Sequence, residues 1–182
     1  DISITSTSID ENVLNPIIGT LTTADLDIGS IFTYSFATGS GDTDNEIFTI
    51  VGDQLSANGI FDYEQKAVYF IRILTNDGVC TFEKEFQITV NNLNDTPTDI
   101  LLDNNEILEN SPVGSFVGLF VTSDSDVGDL PVYSFVSGSG SDDNNSFLIK
   151  GDSLLINTTT DFEIKNAYTI LVQSDDGSGG VL

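Results

Sequence analysis

Residues 34–55 read YSFATGSGDTDNEIFTIVGDQL, and residues 133–154 read YSFVSGSGSDDNNSFLIKGDSL. The two stretches agree in order and lie 99 positions apart. Similarity at a fixed offset is typical of one structural unit repeated along a chain. The 182 residues are therefore predicted to form two tandem domains, 1–97 with a connector at 91–97, and 98–182, each close to the size of a small domain.

The repeat extends beyond these stretches and includes most of the paired acids. Near the N-terminus the offset is 98, and Glu11 returns as Glu109. The second copy stops at Leu182, the counterpart of Glu83, so KEFQITVNNLNDTP at 84–97 has no counterpart. At the offset of 99 the repeated acids pair Asp25 with Asp124, Asp27 with Asp126, Asp62 with Asp161, Glu64 with Glu163 and Asp77 with Asp176.

Apolar and polar residues alternate within each copy. In EFQITV at 85–90, Phe86, Ile88 and Val90 alternate with polar side chains. A period of two in β-branched and aromatic residues predicts half-buried strands, and Gly, Asn, Asp and Ser clusters separate the runs. We predict an all-β protein of two tandem, seven-stranded Greek-key β-sandwiches, the second lacking its last strand.

The composition restricts the function. The chain has 29 acidic and 5 basic residues, a formal net charge of −24, which repels nucleic acids and anionic membrane surfaces and favours cations as partners. There is no apolar run long enough to cross a membrane and no signal-like leader, so we predict no direct membrane insertion. With no His and a single Cys80, zinc, copper and iron sites and Ser/His or Cys/His catalysis lack their residues, and we predict that the protein is not an enzyme.

The acids recur in pairs separated by one residue, as in Asp25-x-Asp27 and Asp62-x-Glu64. On extended backbone such a pair points to one side. Two carboxylates about 4 Å apart repel by about 4 kcal/mol at an effective dielectric constant of about 20, so the pattern indicates either a solvated loop or a cation site. Calcium binds six to eight carboxylate, amide and backbone oxygens, the mixture that NLND at 92–95 supplies.

Five short motifs occur in a fixed order: DEN at 10–12, DLD at 25–27, DYE at 62–64, NDG at 76–78 and NLND at 92–95. Together they resemble tandem cadherin-like repeats, especially those of large bacterial surface adhesins. The resemblance covers essentially the whole chain and implies a cadherin- or immunoglobulin-like sandwich. It also implies that Ca²⁺ binds at the junction of successive domains.

The resemblance implies nine ligands for one junction holding two or three Ca²⁺. Asn92 stands where family connectors usually begin with Asp, which removes one charge from a three-ion set. The implied ligands are Glu11, Asp62 and Glu64 from the first domain, Asn92, Asn94 and Asp95 from the connector, and Asp124, Asp126 and Asp176 from the second domain.

Two further half-sites are expected to be empty or weak. One would face a domain before Asp1, and the other a domain after Leu182. Their members are Asp25, Asp27 and Asp77 for the first, and Glu109, Asp161 and Glu163 for the second.

We therefore expect a calcium-binding extracellular module, a calcium-stiffened structural or adhesive segment of a larger surface protein, with neighbouring cadherin-like repeats as partners. No Trp is present, so strand-swapped homophilic adhesion is not implied. The alternative is a carbohydrate-binding module of an envelope protein or polysaccharide-degrading enzyme, with a glycan contacting Tyr63. A third possibility is that a strand from another copy completes the open edge of the second domain.

Overall fold

The computed structural model describes residues 1–26 and 29–182. The chain divides into two compact units, Asp1–Leu93 (unit 1) and Asn94–Leu182 (unit 2). The division into domains 1–97 and 98–182 stays a prediction. Within the described residues the helical segments are 3-10 turns at Asn45–Ile47 and Asn144–Ser146, and no helix there has the length and apolarity needed to cross a bilayer.

Unit 1 consists of two four-stranded sheets around one hydrophobic core. Their strand orders are β1-β3-β6-β5 and β2-β8-β7-β4. Only β2 and β8 pair in parallel among the described strands of this unit. The strands are β1 (Ile2–Ile4), β2 (Ser8–Asp10), β3 (Ile17–Thr23), β4 (Thr33–Phe36), β5 (Phe48–Val51), β6 (Gln54–Ala57), β7 (Val68–Asn76) and β8 (Thr81–Asn91).

The N-terminal strand of unit 1 is divided between the two sheets. β1 pairs with β3 in one sheet, and β2 pairs with β8 in the other. The crossing is made at residues 5–7, where the Thr5 N–H donates to the Thr20 carbonyl and the Thr89 N–H donates to the Thr7 carbonyl. The described part of unit 1 therefore has eight strands rather than seven.

The core of unit 1 follows the alternation in the sequence. Ile71 and Ile73 of β7 and Ile88 of β8 are fully buried, each 0% exposed. In the antiparallel register Ile71 lies opposite Phe86, and Tyr69 lies opposite Ile88. Alternate residues of both strands thus face the same core, as the pattern at 85–90 predicted.

Unit 2 has its own core and two antiparallel sheets, ordered β12-β13-β10-β9 and β11-β14. The all-β class is confirmed, and the sheets of both units are consistent with β-sandwiches. The strands are β9 (Asp99–Leu102), β10 (Phe116–Ser123), β11 (Val132–Phe135), β12 (Phe147–Lys150), β13 (Ser153–Ile156) and β14 (Val172–Asp175).

One ion pair between an exposed lysine and a largely buried aspartate is repeated in both units, at the turn before β5 and before β12. Asp44 accepts hydrogen bonds from the Lys66 ammonium and the Phe70 N–H. Asp143 likewise accepts from Lys165. These acids stabilise the crossover loops, so they are structural acids and are separate from the candidate metal ligands.

Candidate metal site

Glu11 directly follows β2, and although it carries a carboxylate it is fully buried, 0% exposed. Its Oε2 accepts from the Tyr63 N–H at 2.8 Å, and its Oε1 accepts from the Leu93 N–H at 2.6 Å. The next residue, Asn12, has a φ of 62°, a left-handed conformation that Asn tolerates. A carboxylate can accept about four contacts, so both oxygens of Glu11 retain lone pairs for a cation.

Two more predicted ligands of unit 1 lie beside Glu11. A carboxylate oxygen of Glu64 lies within 4.8 Å of one from Glu11. The Asn92 Nδ2 donates to Glu64 Oε1 at 2.9 Å. Unit 1 therefore brings Glu11, Glu64 and Asn92 together at one end of the unit.

Asp62 has a different environment from Glu64. Its Oδ1 and Oδ2 accept from the backbone N–H and the side-chain Nε2 of Gln65, both at 2.8 Å. Residues 63–65 form a turn, so the Asp62-x-Glu64 pair does not lie on the extended backbone that the spacing argument required. The role of Asp62 as a ligand stays a prediction.

In unit 2, Asp176 lies in a cradle of backbone N–H groups and is 3% exposed. Its Oδ1 accepts from Ser178, Gly179 and Gly180 at 2.6, 2.9 and 3.0 Å, and its Oδ2 accepts from the Asn94 Nδ2 at 2.9 Å. The Asn94 hydrogen bond and the backbone donors lower the pKa of Asp176, against a smaller opposing effect of burial. The carboxylate is therefore fixed in position and ionised at neutral pH.

Three further acids of unit 2 converge after β10. Carboxylate oxygens of Asp124, Asp126 and Asp129 lie within 4.8 Å of one another. Asp124 Oδ1 accepts from the Asp126 N–H at 3.1 Å, and Asp126 Oδ2 accepts from the Asp95 N–H at 2.6 Å. Unit 2 thus places the predicted ligands Asp124 and Asp126 together and ties Asp95 to them through its backbone.

Two oxygens of this cluster are buried without a hydrogen-bond partner in the described part of the chain: Asp124 Oδ2 and Asp129 Oδ2. Buried polar atoms in folded proteins are nearly always satisfied, so each exception requires a ligand or another explanation. Burial and the neighbouring charges of Asp126, Asp176 and Asp124 raise the pKa of Asp129. A cation within reach of both oxygens would satisfy them and remove this repulsion.

The sequence did not predict Asp129 as a ligand. Its counterpart at the offset of 99 is Ser30, so the repeat gave no signal for it. The spacing Asp124-x-Asp126-x-x-Asp129 was the available clue, but in a chain with 29 acids it is not specific.

The half-site expected to face a domain after Leu182 belongs to unit 2. Glu109 precedes β10 in the chain, and Asp161 and Glu163 follow β13. Oxygens of Glu109, Asp161 and Glu163 come within 4.8 Å of one another. Glu109 is exposed and accepts from the Phe162 N–H at 3.4 Å, whereas its counterpart Glu11 is buried and held by two N–H groups. Glu109 is therefore less constrained than Glu11. That this half-site binds calcium weakly or not at all stays a prediction.

The first half-site of unit 1 is only partly described, because Asp27 lies outside the described residues. Asp77 accepts from the N–H groups of Val79 and Cys80 at 2.8 and 2.6 Å. These bonds, with a smaller contribution from a hydrogen bond with Asp25, lower the pKa of Asp77. The Asp77 carboxylate therefore accepts hydrogen bonds from the backbone of its own turn. Its role as a metal ligand stays a prediction.

The fold of the chain is shared with cadherin extracellular domains. Human protocadherin-24 EC1-2 aligns over 99% of this chain and 89% of its own, with 21% identity and a TM-score of 0.73. Mouse cadherin-23 EC22-24 aligns over 100% and 63%, with 17% identity and a TM-score of 0.67. Protocadherin gamma B2 domains 3-6 align over 96% of this chain at 18% identity and a TM-score of 0.67, and the chain spans 43% of that structure.

No family model and no curated protein sequence matches the chain. At identities of this order the structural similarity establishes the fold alone. The cadherin-like β-sandwich implied by the five motifs is confirmed by these structures.

Proposed function

We propose that the chain is a calcium-binding, cadherin-like module of an extracellular surface protein. The observation that carries this proposal is the Asp124–Asp126–Asp129 cluster, in which the Oδ2 atoms of Asp124 and Asp129 are buried without a partner in the described residues. Carboxylates arranged in this way repel one another unless a cation lies between them. The calcium-binding part of the proposal therefore starts from unit 2 and does not depend on the motif resemblance.

The donor chemistry favours calcium. Every candidate ligand offers oxygen, from carboxylates or side-chain amides, and the chain has no His. Cys80 is exposed and follows the Asp77 turn of unit 1. Zinc and copper prefer nitrogen and sulfur ligands, and magnesium requires a regular octahedron, whereas calcium accepts six to eight oxygens in irregular geometry.

The proposed ligands come from both units. The implied arrangement of two or three Ca²⁺ at the junction is part of this proposal, and Asp129 joins the nine residues that the resemblance implied. The set is Glu11, Asp62, Glu64 and Asn92 from unit 1, and Asn94, Asp95, Asp124, Asp126, Asp129 and Asp176 from unit 2.

The proposed role is mechanical and non-enzymatic. Calcium would restrict the angle between the units, so that tandem domains form a stiff segment of a larger surface protein. Extracellular modules of this kind bind calcium with dissociation constants of about 10⁻⁴–10⁻³ M, matched to the calcium concentration outside cells. Neighbouring cadherin-like repeats are the proposed partners, and assignment to bacterial adhesins rests on the motif resemblance.

The carbohydrate-binding alternative has no support in the structure. Tyr69 is 8% exposed and lies in the core of unit 1, and Tyr34 packs against that core. Tyr63 is 37% exposed, but a single ring does not form a sugar-binding platform. We therefore do not propose glycan binding.

The proposal is tested by thermal unfolding in millimolar CaCl₂ and in excess chelator. We expect calcium to raise the melting temperature, because a ligand that binds only the folded state stabilises it. The double variant Asp124→Asn and Asp126→Asn should lose this increase. The control variant, Asp142→Asn, changes an exposed acid outside the cluster and should keep it.

Small-angle scattering of the same samples tests the mechanical part. Calcium should narrow the distribution of particle dimensions for the natural chain and for Asp142→Asn. An equal calcium-induced increase in melting temperature in the double variant would contradict the site. An unchanged scattering profile in a chain that binds calcium would contradict the stiffening role.

A further inference from the structure

Three hydroxyl groups link the two sheets of unit 2 in its interior. The Thr122 hydroxyl on β10 donates to Tyr133 Oη on β11 at 2.9 Å, and its Oγ1 lies 2.7 Å from Ser174 Oγ on β14. A hydroxyl has one hydrogen to donate, so Ser174 is the donor of the second bond. β10 belongs to one sheet, whereas β11 and β14 pair in the other. We call these three side chains the clasp.

The clasp lies directly below two of the proposed metal ligands. Asp124 is two residues after Thr122, and Asp176 is two residues after Ser174. On extended backbone, residues i and i+2 point to the same side of the strand, so each carboxylate follows a linked hydroxyl on one face. We propose that the clasp consists of positioning residues, which fix the separation of Asp124 and Asp176 and thereby set the affinity for calcium. This inference rests on the proposed calcium-binding function.

The burial of the two strand ends supports this direction. Along 121–126, even-numbered residues are half-buried and odd-numbered residues are exposed. At the end of β14, Ser174 and Asp176 are 0% and 3% exposed, and Asp175 between them is half-buried. Hydroxyl and carboxylate of each strand therefore point inward. Among the described residues, the buried Oδ2 of Asp124 has no hydrogen-bond partner.

The separation of the two carboxylates matters because one cation site has to be reached from both strands. Asp124 belongs to the cluster with Asp126 and Asp129. Besides burial and Asp126, the charge of Asp176 raises the pKa of Asp129, so Asp176 interacts with the same cluster. Calcium–oxygen distances are about 2.3–2.6 Å, and a shift of about 1 Å between the strand ends would take a carboxylate out of that range. The clasp opposes the repulsion that would separate these ends.

The same arrangement of hydroxyls occurs in unit 1. The Thr23 hydroxyl of β3 donates to Tyr34 Oη at 3.1 Å, and its Oγ1 lies 2.9 Å from Thr75 Oγ1. Tyr34 lies opposite Thr75 in the register, as Tyr133 lies opposite Ser174. Buried hydroxyls are costly unless they are hydrogen-bonded, and a connected network of them makes its surroundings rigid. Unit 1 therefore provides a matched control, in which the same bonds can be broken without changing unit 2.

The test is a calcium titration of the 182-residue chain, followed by NMR of the amide groups of 178–180, which donate to Asp176. Thr122→Val removes the hydroxyl and both of its hydrogen bonds with a side chain of the same shape. Thr122→Ser keeps the hydroxyl, and Thr23→Val breaks the equivalent bonds of unit 1. Amide hydrogen exchange of the same variants in chelator provides a second readout that needs no bound metal.

We expect Thr122→Val to bind calcium at least about fivefold more weakly, and Thr122→Ser and Thr23→Val to stay within about twofold of the natural chain. In chelator, Thr122→Val should accelerate exchange at 178–180 by about tenfold, and more than in β12 and β13, whereas a general loss of stability would accelerate exchange throughout unit 2. Ser174→Ala keeps the bond between Thr122 and Tyr133, so it is the milder variant if Thr122→Val does not fold. It should weaken calcium binding by about threefold.

Two results would overturn the proposed role of the clasp. One is equal calcium affinity of Thr122→Val and Thr23→Val, and the other is unchanged exchange at 178–180 in chelator. A natural chain whose amide signals do not respond to calcium would instead contradict the proposed function. Exchange in chelator would then still decide whether the clasp positions Asp176.

Discussion

Asp129 has two opposite effects on stability, depending on whether calcium is bound. Burial and neighbouring acids raise its pKa in the folded state above 3.8. Without metal, its ionisation therefore costs the folded state stability, and this cost develops as the pH rises from 3.8 through the raised pKa. With calcium bound, the same charge would be a ligand.

The variant Asp129→Asn separates these effects at pH 7. We expect it to melt at a higher temperature than the natural chain in chelator, and to bind calcium at least about tenfold more weakly. Differential scanning calorimetry with and without calcium measures both. Asp176→Asn should instead melt at a lower temperature than the natural chain in chelator. The pKa of Asp176 is lowered from 3.8, so its negative charge stabilises the fold above that pH. A lower melting temperature of Asp129→Asn in chelator would contradict this account.

At the scale of secondary structure, β8 is the central element of unit 1. Ile88 is 0% exposed and lies opposite Tyr69 of β7. Ile88→Ala should destabilise unit 1 by about 3 kcal/mol, since it leaves a cavity in a closed core. Gln87→Ala changes the adjacent exposed residue and should have an effect within about 0.5 kcal/mol. Urea unfolding followed by amide exchange of β7 measures both, and equal effects would contradict the assignment of β8 to the core.

The same elements show how much of the molecule could be predicted from sequence. The burial of Phe86, Ile88 and Val90 followed from a period of two that continues over the strand. The division of the first strand into β1 and β2 did not, because segments of three residues are too short to show a period.

The candidate site was predicted less completely than the fold. The repeat identified Asp124 and Asp126 but not Asp129, which it pairs with Ser30. The turn at 63–65 was not foreseen, and it directs the Asp62 carboxylate to Gln65. Both features lie in loops, where local hydrogen bonds decide side-chain direction and the sequence period gives no information.

At the scale of the whole molecule, the dominant property is the net charge of −24. The chain has five basic residues, and within residues 1–26 and 29–182 four of them form ion pairs: Lys66, Arg72, Lys84 and Lys165. The remaining excess of negative charge can be balanced only from solution. Self-repulsion of this size opposes the compact state, so bound calcium and dissolved salt should stabilise the chain in overlapping ways.

This overlap predicts that calcium weakens the effect of salt. In chelator, raising NaCl from about 20 mM to about 300 mM should increase the melting temperature by about 5 °C, because the screening length falls from about 20 Å to about 6 Å and weakens the repulsion between acids that lie farther apart than that. In saturating calcium the increase should be smaller by about half, since part of the charge is already neutralised. Choline chloride at equal ionic strength controls for specific sodium binding and should act as NaCl does. A salt effect that is as large with calcium as without it would show that calcium does not neutralise the acids responsible for the repulsion.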